Sequence, residues 1–223
     1  HFLYIKQKFS MNRVFMAIII YGRRSSANVQ KVIWLCTEVG ISFETIDVGG
    51  KYEGNKTEKF LTINPNGKVP VLDYNNFIIY ESNAILKFIS EKNNFLTSKN
   101  IKHNALVNQW IDWGSFAFGV PCQLLTAHMA HLPLDKRDPN KVIEAKDIIN
   151  EMLKILDEQL CKTDYVVGDN FSLADIPAGC WFNRCRNFEI DMSSHKGVTN
   201  WAKKLYERKA FQSAVVASPI PPN

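Results

Sequence analysis

The chain has 223 residues, 46% of them apolar and 22% charged, which is the balance of a folded globular protein with length for one large domain or two modest ones. Its 27 basic and 22 acidic side chains leave a net charge of +5, spread along the chain rather than gathered in blocks, so neither a disordered tail nor a nucleic-acid partner is indicated. The longest apolar run, Val14–Tyr21, falls far short of the roughly 18 residues of a membrane span and reads as a buried strand, so no membrane partner is expected.

Residues 1–15 carry Lys6, Lys8 and Arg13 but neither the apolar core nor the small-residue cleavage site of a secretory leader. They read as an extension outside the fold, with Met11 and Met16 as alternative starts. The five cysteines, Cys36, Cys122, Cys161, Cys180 and Cys185, are odd in number and contain no CxxC pair or metal-ligand spacing. Reduced thiols in the cytoplasm and no metal are therefore expected. Cys36 and Cys161 fall on apolar-patterned helices and are expected to be buried and inert.

In chain order, Ala17–Tyr21 predicts a strand. Val29, Val32, Ile33 and Cys36 then recur at helical spacing until Gly40 ends the pattern. Phe43–Val48 is a second strand, followed by a polar loop with Gly49, Gly50 and Gly54 that lacks phosphate-loop spacing. Val69–Leu72 and Ile78–Tyr80 flank Asn75-Asn76, a hairpin signal, and Glu81–Ser90 closes the unit as a helix. The order over residues 16–92 is thus β-α-β-loop-β-β-α.

Residues 93–101 are a polar linker, and residues 102–217 read as helical almost throughout. The segment from His103 to about Ala130 should break at Pro121. Lys141–Leu160 carries an apolar stripe. Ser172 is an N-cap with Asp175 three residues on, a close variant of the capping box. Gly197–Arg208 and Phe211–Val216 complete a helical bundle, and residues 218–223 are a tail. The fold class is α/β plus all-α.

The chemistry concentrates in Gly67-Lys68-Val69-Pro70 and Tyr80-Glu81-Ser82-Asn83. Pro70 cannot donate to a sheet ladder, so it belongs at a strand start, where a cis Val69-Pro70 bond leaves the Val69 peptide free to pair with an extended ligand. Ser82 and the first free amides of the following helix can accept a carboxylate, while Glu81 can pair with an ammonium. Together they read an amino-acid head group. The alternatives are a plain strand breaker at Pro70 and a plain helix cap at Ser82.

These motifs resemble those of the soluble glutathione transferases. Asn64-Pro-Asn-Gly-Lys-Val-Pro-Val-Leu is similar to the family's cis-proline motif, Glu81-Ser-Asn-Ala-Ile to its glutamate-serine motif, and Ser172-Leu-Ala-Asp-Ile to its helical-domain cap. The likeness runs from about Met16 to Ala217. The segment Tyr21–Val32 resembles a bacterial branch near the theta, beta and nu groups that includes haloacid-dehalogenating enzymes.

The resemblance implies a thioredoxin-like domain followed by a helical domain, usually as a homodimer, with glutathione as co-substrate and a small electrophile as second substrate. It implies that Lys68 pairs with the glycyl carboxylate, Val69 with the cysteinyl backbone beside Pro70, and Glu81 and Ser82 with the γ-glutamyl head. Ser26, with Ser25 as its rival, and Asn28 would stabilise the thiolate, which is the nucleophile, whereas Tyr21 would be structural. Asp112 would face glutathione bound in the other subunit. Without a cysteine in the loop before the first helix, a protein mixed disulfide is disfavoured. A glutathione-dependent disulfide or peroxide reductase, and a ligand-binding protein with negligible turnover, remain as the other readings.

Overall fold

The computed structural model describes residues 18–188 and 190–219. The expected extension and the Ala17 end of the first strand lie outside the described residues.

Strand β1 (Ile18–Tyr21) is buried on alternate residues, with Ile18 and Ile20 directed into the core. It pairs in parallel with β2 (Glu44–Ile46) and antiparallel with β3 (Val71–Tyr74), which returns through a two-residue turn to β4 (Phe77–Tyr80). The sheet order is β2-β1-β3-β4. Asn75 and Asn76 both hold positive φ, 55° and 68°, the geometry a tight hairpin turn demands and asparagine tolerates.

Helices α1 (Ala27–Val39) and α3 (Ser82–Asn93) pack against each other and bury Val32, Ile33, Ile85 and Ile89 with Ile20 and Leu72 of the sheet. The stripe through Val29 and Cys36 is the buried one, and Gly40 ends α1 in the left-handed conformation at φ 76°. The segment expected to be only a loop contains a further helix, α2 (Glu58–Ile63). Its Thr57 hydroxyl caps the Phe60 amide, and Phe60 packs with Val48 and Val71. Six residues are too few to show a helical period in sequence; the single buried ring holds the turn.

The remaining elements are helical: α4 (Ile101–Phe116), α5 (Gly119–Thr126), α6 (Pro139–Leu160), α7 (Asp175–Arg186), α8 (Lys196–Glu207) and α9 (Lys209–Phe211). The break between α4 and α5 falls at residues 117–118, ahead of Pro121. The proline occupies the third position of α5, where its missing amide costs no intrahelical bond. Gly119 opens α5 because a side chain there would meet the Trp181 ring, with Nε1 only 2.6 Å from the Cβ position.

Helix α7 is buried from Asp175 through Cys185 and packs against α1, α4 and α5. The expected Ser172–Asp175 pairing forms, but the N-cap of α7 is Ala174 rather than Ser172, because a turn at residues 173–174 precedes the helix. The Ser172 hydroxyl accepts from the Ala174 amide, and the Asp175 carboxylate reaches back to the Ser172 amide at 2.8 Å. The same carboxylate accepts from the Val166 amide at 2.9 Å and from Trp201 Nε1 at 2.8 Å. Helix α1 is sewn to the bundle by Trp34 against Phe211 and by a bidentate Arg208–Glu38 pair at 2.7 and 2.8 Å. A thioredoxin-like sheet domain followed by a helical domain is therefore what the chain forms.

Cys36 is buried as expected, but Cys161 is exposed, because it sits past the end of α6 rather than on its apolar stripe.

Candidate active site

The turn before β3 is built by asparagine side chains. Asn64 Nδ2 donates to the Lys68 carbonyl at 2.8 Å while its Oδ1 accepts from the Asn66 amide at 3.1 Å. Asn55 Nδ2 holds the Gly67 carbonyl at 2.8 Å. These bonds fix the run into Val69-Pro70, whose peptide bond is cis. Neither the amide nor the carbonyl of Val69 is taken up by another group among the described residues, so the peptide edge is available to an extended ligand.

At the end of β4 the backbone of Glu81 adopts φ 69° and ψ 112°, a conformation a side chain with Cβ adopts only at a cost of about 1–3 kcal/mol. This turn aims the first amides of α3 at the same space as Val69. Lys68, Val69, Pro70, Glu81 and Ser82 consequently line one open chamber of about 600 Å³, closed on its far side by Asp112 and Ser115 of α4. Asp112 lies at the rim of this chain's own chamber, where its carboxylate accepts from Asn83 Nδ2 at 3.4 Å.

The loop between β1 and α1 is pinned by two backbone bonds, Gly22 to the Ile46 carbonyl at 2.9 Å and Arg23 to the Val48 carbonyl at 3.2 Å. Gly22, at φ 148°, has no room for a side chain, since a Cβ would lie 2.5 Å from Val29. The loop and the first turn of α1 deliver Ser25, Ser26 and Asn28 to a second chamber of about 520 Å³, walled by α5 and α7. Tyr21 packs instead beside Val48, Phe60 and Val71, in the structural position expected of it.

Asn28, Val120 and Gln123 border both chambers, so the two spaces meet at Asn28. The Ser82 hydroxyl donates to Asn28 Oδ1 at 3.4 Å, which leaves the Asn28 amide nitrogen as the donor on that side chain. Ser26 precedes α1 in extended conformation, yet its hydroxyl makes no capping bond, so it is uncommitted among the described residues. Its backbone does the structural work, accepting from the Gln30 amide at 2.9 Å. Ser25 gives its carbonyl to Arg184 Nη2 at 2.6 Å.

Three charged or titratable groups of the site were not singled out as site residues from sequence. Lys31 of α1 borders the first chamber while being buried, with Nζ on Ser115 Oγ at 2.9 Å and over the Trp181 ring. Burial pushes its pKa down to about 8, with Cys180 and Glu81 acting in the opposite direction. Arg184 of α7 and His131, just past α5, border the second chamber. Desolvation, with Arg23 and Arg184 nearby, holds the His131 pKa below its usual value. His128 is occupied elsewhere, its Nδ1 accepting from the Asp138 amide at 3.0 Å, and among the described residues no group of three metal-ligating side chains forms.

The arrangement matches known proteins at both levels. Residues 16–91 match the family model described as glutathione S-transferase, N-terminal domain, and residues 122–209 the one described as glutathione S-transferase, C-terminal domain. The chain belongs to the glutathione S-transferase family of enzymes. It is 32% identical to glutathione S-transferase F10 of Arabidopsis thaliana, over 92% of this chain and 100% of that one. Against glutathione S-transferase GstB of Escherichia coli strain K12 it is 26% identical, covering 89% of this chain and 98% of the relative. Among solved structures it superposes with a TM-score of 0.84 and 32% identity on the theta class glutathione S-transferase of Xanthomonas axonopodis pv. citri with glutathione bound, covering 90% of this chain and 97% of that one. Among the described residues no helix is long and apolar enough to cross a membrane.

Proposed function

We propose that this glutathione S-transferase holds glutathione in the first chamber and attacks a small electrophile held in the second. Lys68 takes the glycyl carboxylate, the Val69 peptide pairs with the cysteinyl backbone beside Pro70, and Glu81 with Ser82 and the α3 amides takes the γ-glutamyl head. The sulfur then lies at the junction, where Asn28 Nδ2 and the Ser26 hydroxyl stabilise it as thiolate. The observation that carries this reading is the shared position of Asn28 between the chambers.

A free thiol near pKa 8.5 is only a few per cent ionised at pH 7. Lowering it by about 2 units takes roughly 2.7 kcal/mol, within reach of one or two hydrogen bonds to sulfur at a helix N-terminus. The thiolate supplies the electron pair for a new sulfur–carbon bond. In displacement, halide included, the leaving group departs with its own pair; in addition, the carbanion takes a proton from water. No cysteine borders either chamber among the described residues, which favours transfer over a protein-thiol redox cycle.

Membership of the theta-, beta- and nu-like branch and a cytoplasmic location belong to this reading. So does a homodimer, supported by half-exposed Phe77 on edge strand β4 and by Phe116, 66% exposed at the end of α4. Sedimentation at micromolar concentration should give a dimer; a monomer would remove that part. The activity itself is tested by incubating the protein with glutathione and 1-chloro-2,4-dinitrobenzene. The expected result is enzyme-dependent release of the thioether and chloride that saturates in glutathione, and a rate equal to the uncatalysed one would overturn the reading.

A further inference from the structure

The second chamber is bordered by two guanidinium groups, Arg23 and Arg184, and, among the described residues, by no aspartate or glutamate. Arg184 is 4% exposed, and of its terminal nitrogens only Nη2 has a partner, the Ser25 carbonyl at 2.6 Å. Nη1 is buried with no hydrogen-bond partner among the described residues. Burial pushes the Arg184 pKa down to about 10, with the Cys180 thiol opposing and the nearby Arg23 charge adding to it, so at neutral pH it is still a cation. Burial pushes the neighbouring Cys180 and Cys122 thiols up, so neither is an anion that neutralises it at neutral pH.

A buried cation without a counter-charge, with one unmet nitrogen and a second cation beside it, is costly unless an anion completes it. The planar fork of arginine suits a carboxylate, which takes two parallel hydrogen bonds. Val120, Leu124, Ala127 and Trp181 add an apolar stretch of wall, beside polar Gln123, Thr126 and His131, that suits a hydrocarbon or aromatic body. Resting on the glutathione reading above, we propose that the second chamber selects electrophiles bearing a carboxylate, with that carboxylate held by Arg184 and Arg23 and the reactive carbon turned toward Asn28. In a displacement the thiolate forms the sulfur–carbon bond, the leaving group departs with its electron pair, and the carboxylate is unchanged.

The test compares 4-chloro-3-nitrobenzoate with 4-chloro-3-nitrobenzamide, each kcat/KM divided by the uncatalysed rate of the same compound with glutathione. The wild-type protein should favour the benzoate by about tenfold or more, a ratio that collapses toward one in Arg184→Gln and is partly kept in Arg184→Lys. A wild-type ratio near one, or a ratio unchanged in both Arg184→Gln and Arg23→Gln, would overturn the proposal. An equal loss for both electrophiles would do the same, because it describes a structural arginine. Should Arg184→Gln not fold, inhibition of the wild-type benzamide reaction decides: benzoate should compete with the electrophile and exceed benzamide in potency, and equal potency contradicts the proposal. Glutathione-saturable turnover of the benzamide with no benzoate preference removes this proposal alone. Absence of glutathione-dependent turnover with either compound removes the parent reading and this one with it.

Discussion

The Ser82 hydroxyl, at the start of α3, donates to Asn28 Oδ1 on α1 at 3.4 Å, joining residues 54 positions apart. The bond fixes which end of the Asn28 amide faces the junction of the chambers. If it orients the sulfur donor, the two residues act as a unit. Asn28→Ala and Ser82→Ala should each lower kcat/KM with glutathione by about tenfold, and the double variant should lose clearly less than the product, a coupling of about 1 kcal/mol. A double-mutant cycle on the conjugation rate measures this, and strict additivity would show that the two act separately.

Glu81 supplies a carboxylate at the α3 end of the first chamber, beside the α3 amides that receive the opposite charge. Removing it in Glu81→Ala should weaken glutathione binding by about tenfold or more while changing the chemical step less, as expected for a charge-assisted contact made equally in ground and transition states. Calorimetric titration with glutathione gives the answer; an unchanged binding constant would take Glu81 out of the site.

Asp175 stabilises the bundle through four bonds, to Val166, Ser172 twice and Trp201, all at a fully buried carboxylate. In Asp175→Ala the Val166 and Ser172 amides and the Trp201 indole are left unsatisfied. The expected loss is about 3–5 kcal/mol in urea unfolding. A loss below about 1 kcal/mol would mean that the network contributes little.

Much of this was legible in the chain. The hairpin at Asn75-Asn76, the cis bond before Pro70, the Ser172–Asp175 pairing and the helical second half follow from local chemistry, since each depends on residues a few positions apart. The chamber containing Lys68, Val69, Glu81 and Ser82 was legible for the same reason, as two short motifs around one hairpin. Lys31 and Arg184 were not, because a charged residue on a helix reads as solvated until the neighbours that bury it are known. Helix α2 was too short to show a period. Cys161 was misread because the apolar stripe of α6 stops one residue earlier, whereas the break after α4 falls at residues 117–118, where Pro121 has no amide to offer the Ala117 carbonyl and its ring crowds it.

Lys31 gives the protein a pH dependence of defined sign. Its folded pKa of about 8 lies below the unfolded lysine value, so between pH 8 and about 10.5 the unfolded chain binds more protons and the Lys31 contribution to stability rises with pH; below 8 it is flat. Wild type should gain roughly 2 kcal/mol from pH 8 to 10 relative to Lys31→Met. Urea denaturation of both proteins at the two pH values tests this, and parallel profiles would show that Lys31 is not desolvated in the way its burial implies.

The central claim is that Ser26 and Asn28 stabilise the glutathione thiolate, and an ultraviolet difference titration of bound glutathione reads it directly through thiolate absorbance against pH. The wild-type complex should ionise well below the free thiol, near pH 6.5, with the midpoint rising by about 1 unit in Ser26→Ala and in Asn28→Ala. A midpoint equal to that of free glutathione, or one unmoved in both variants, would contradict the account.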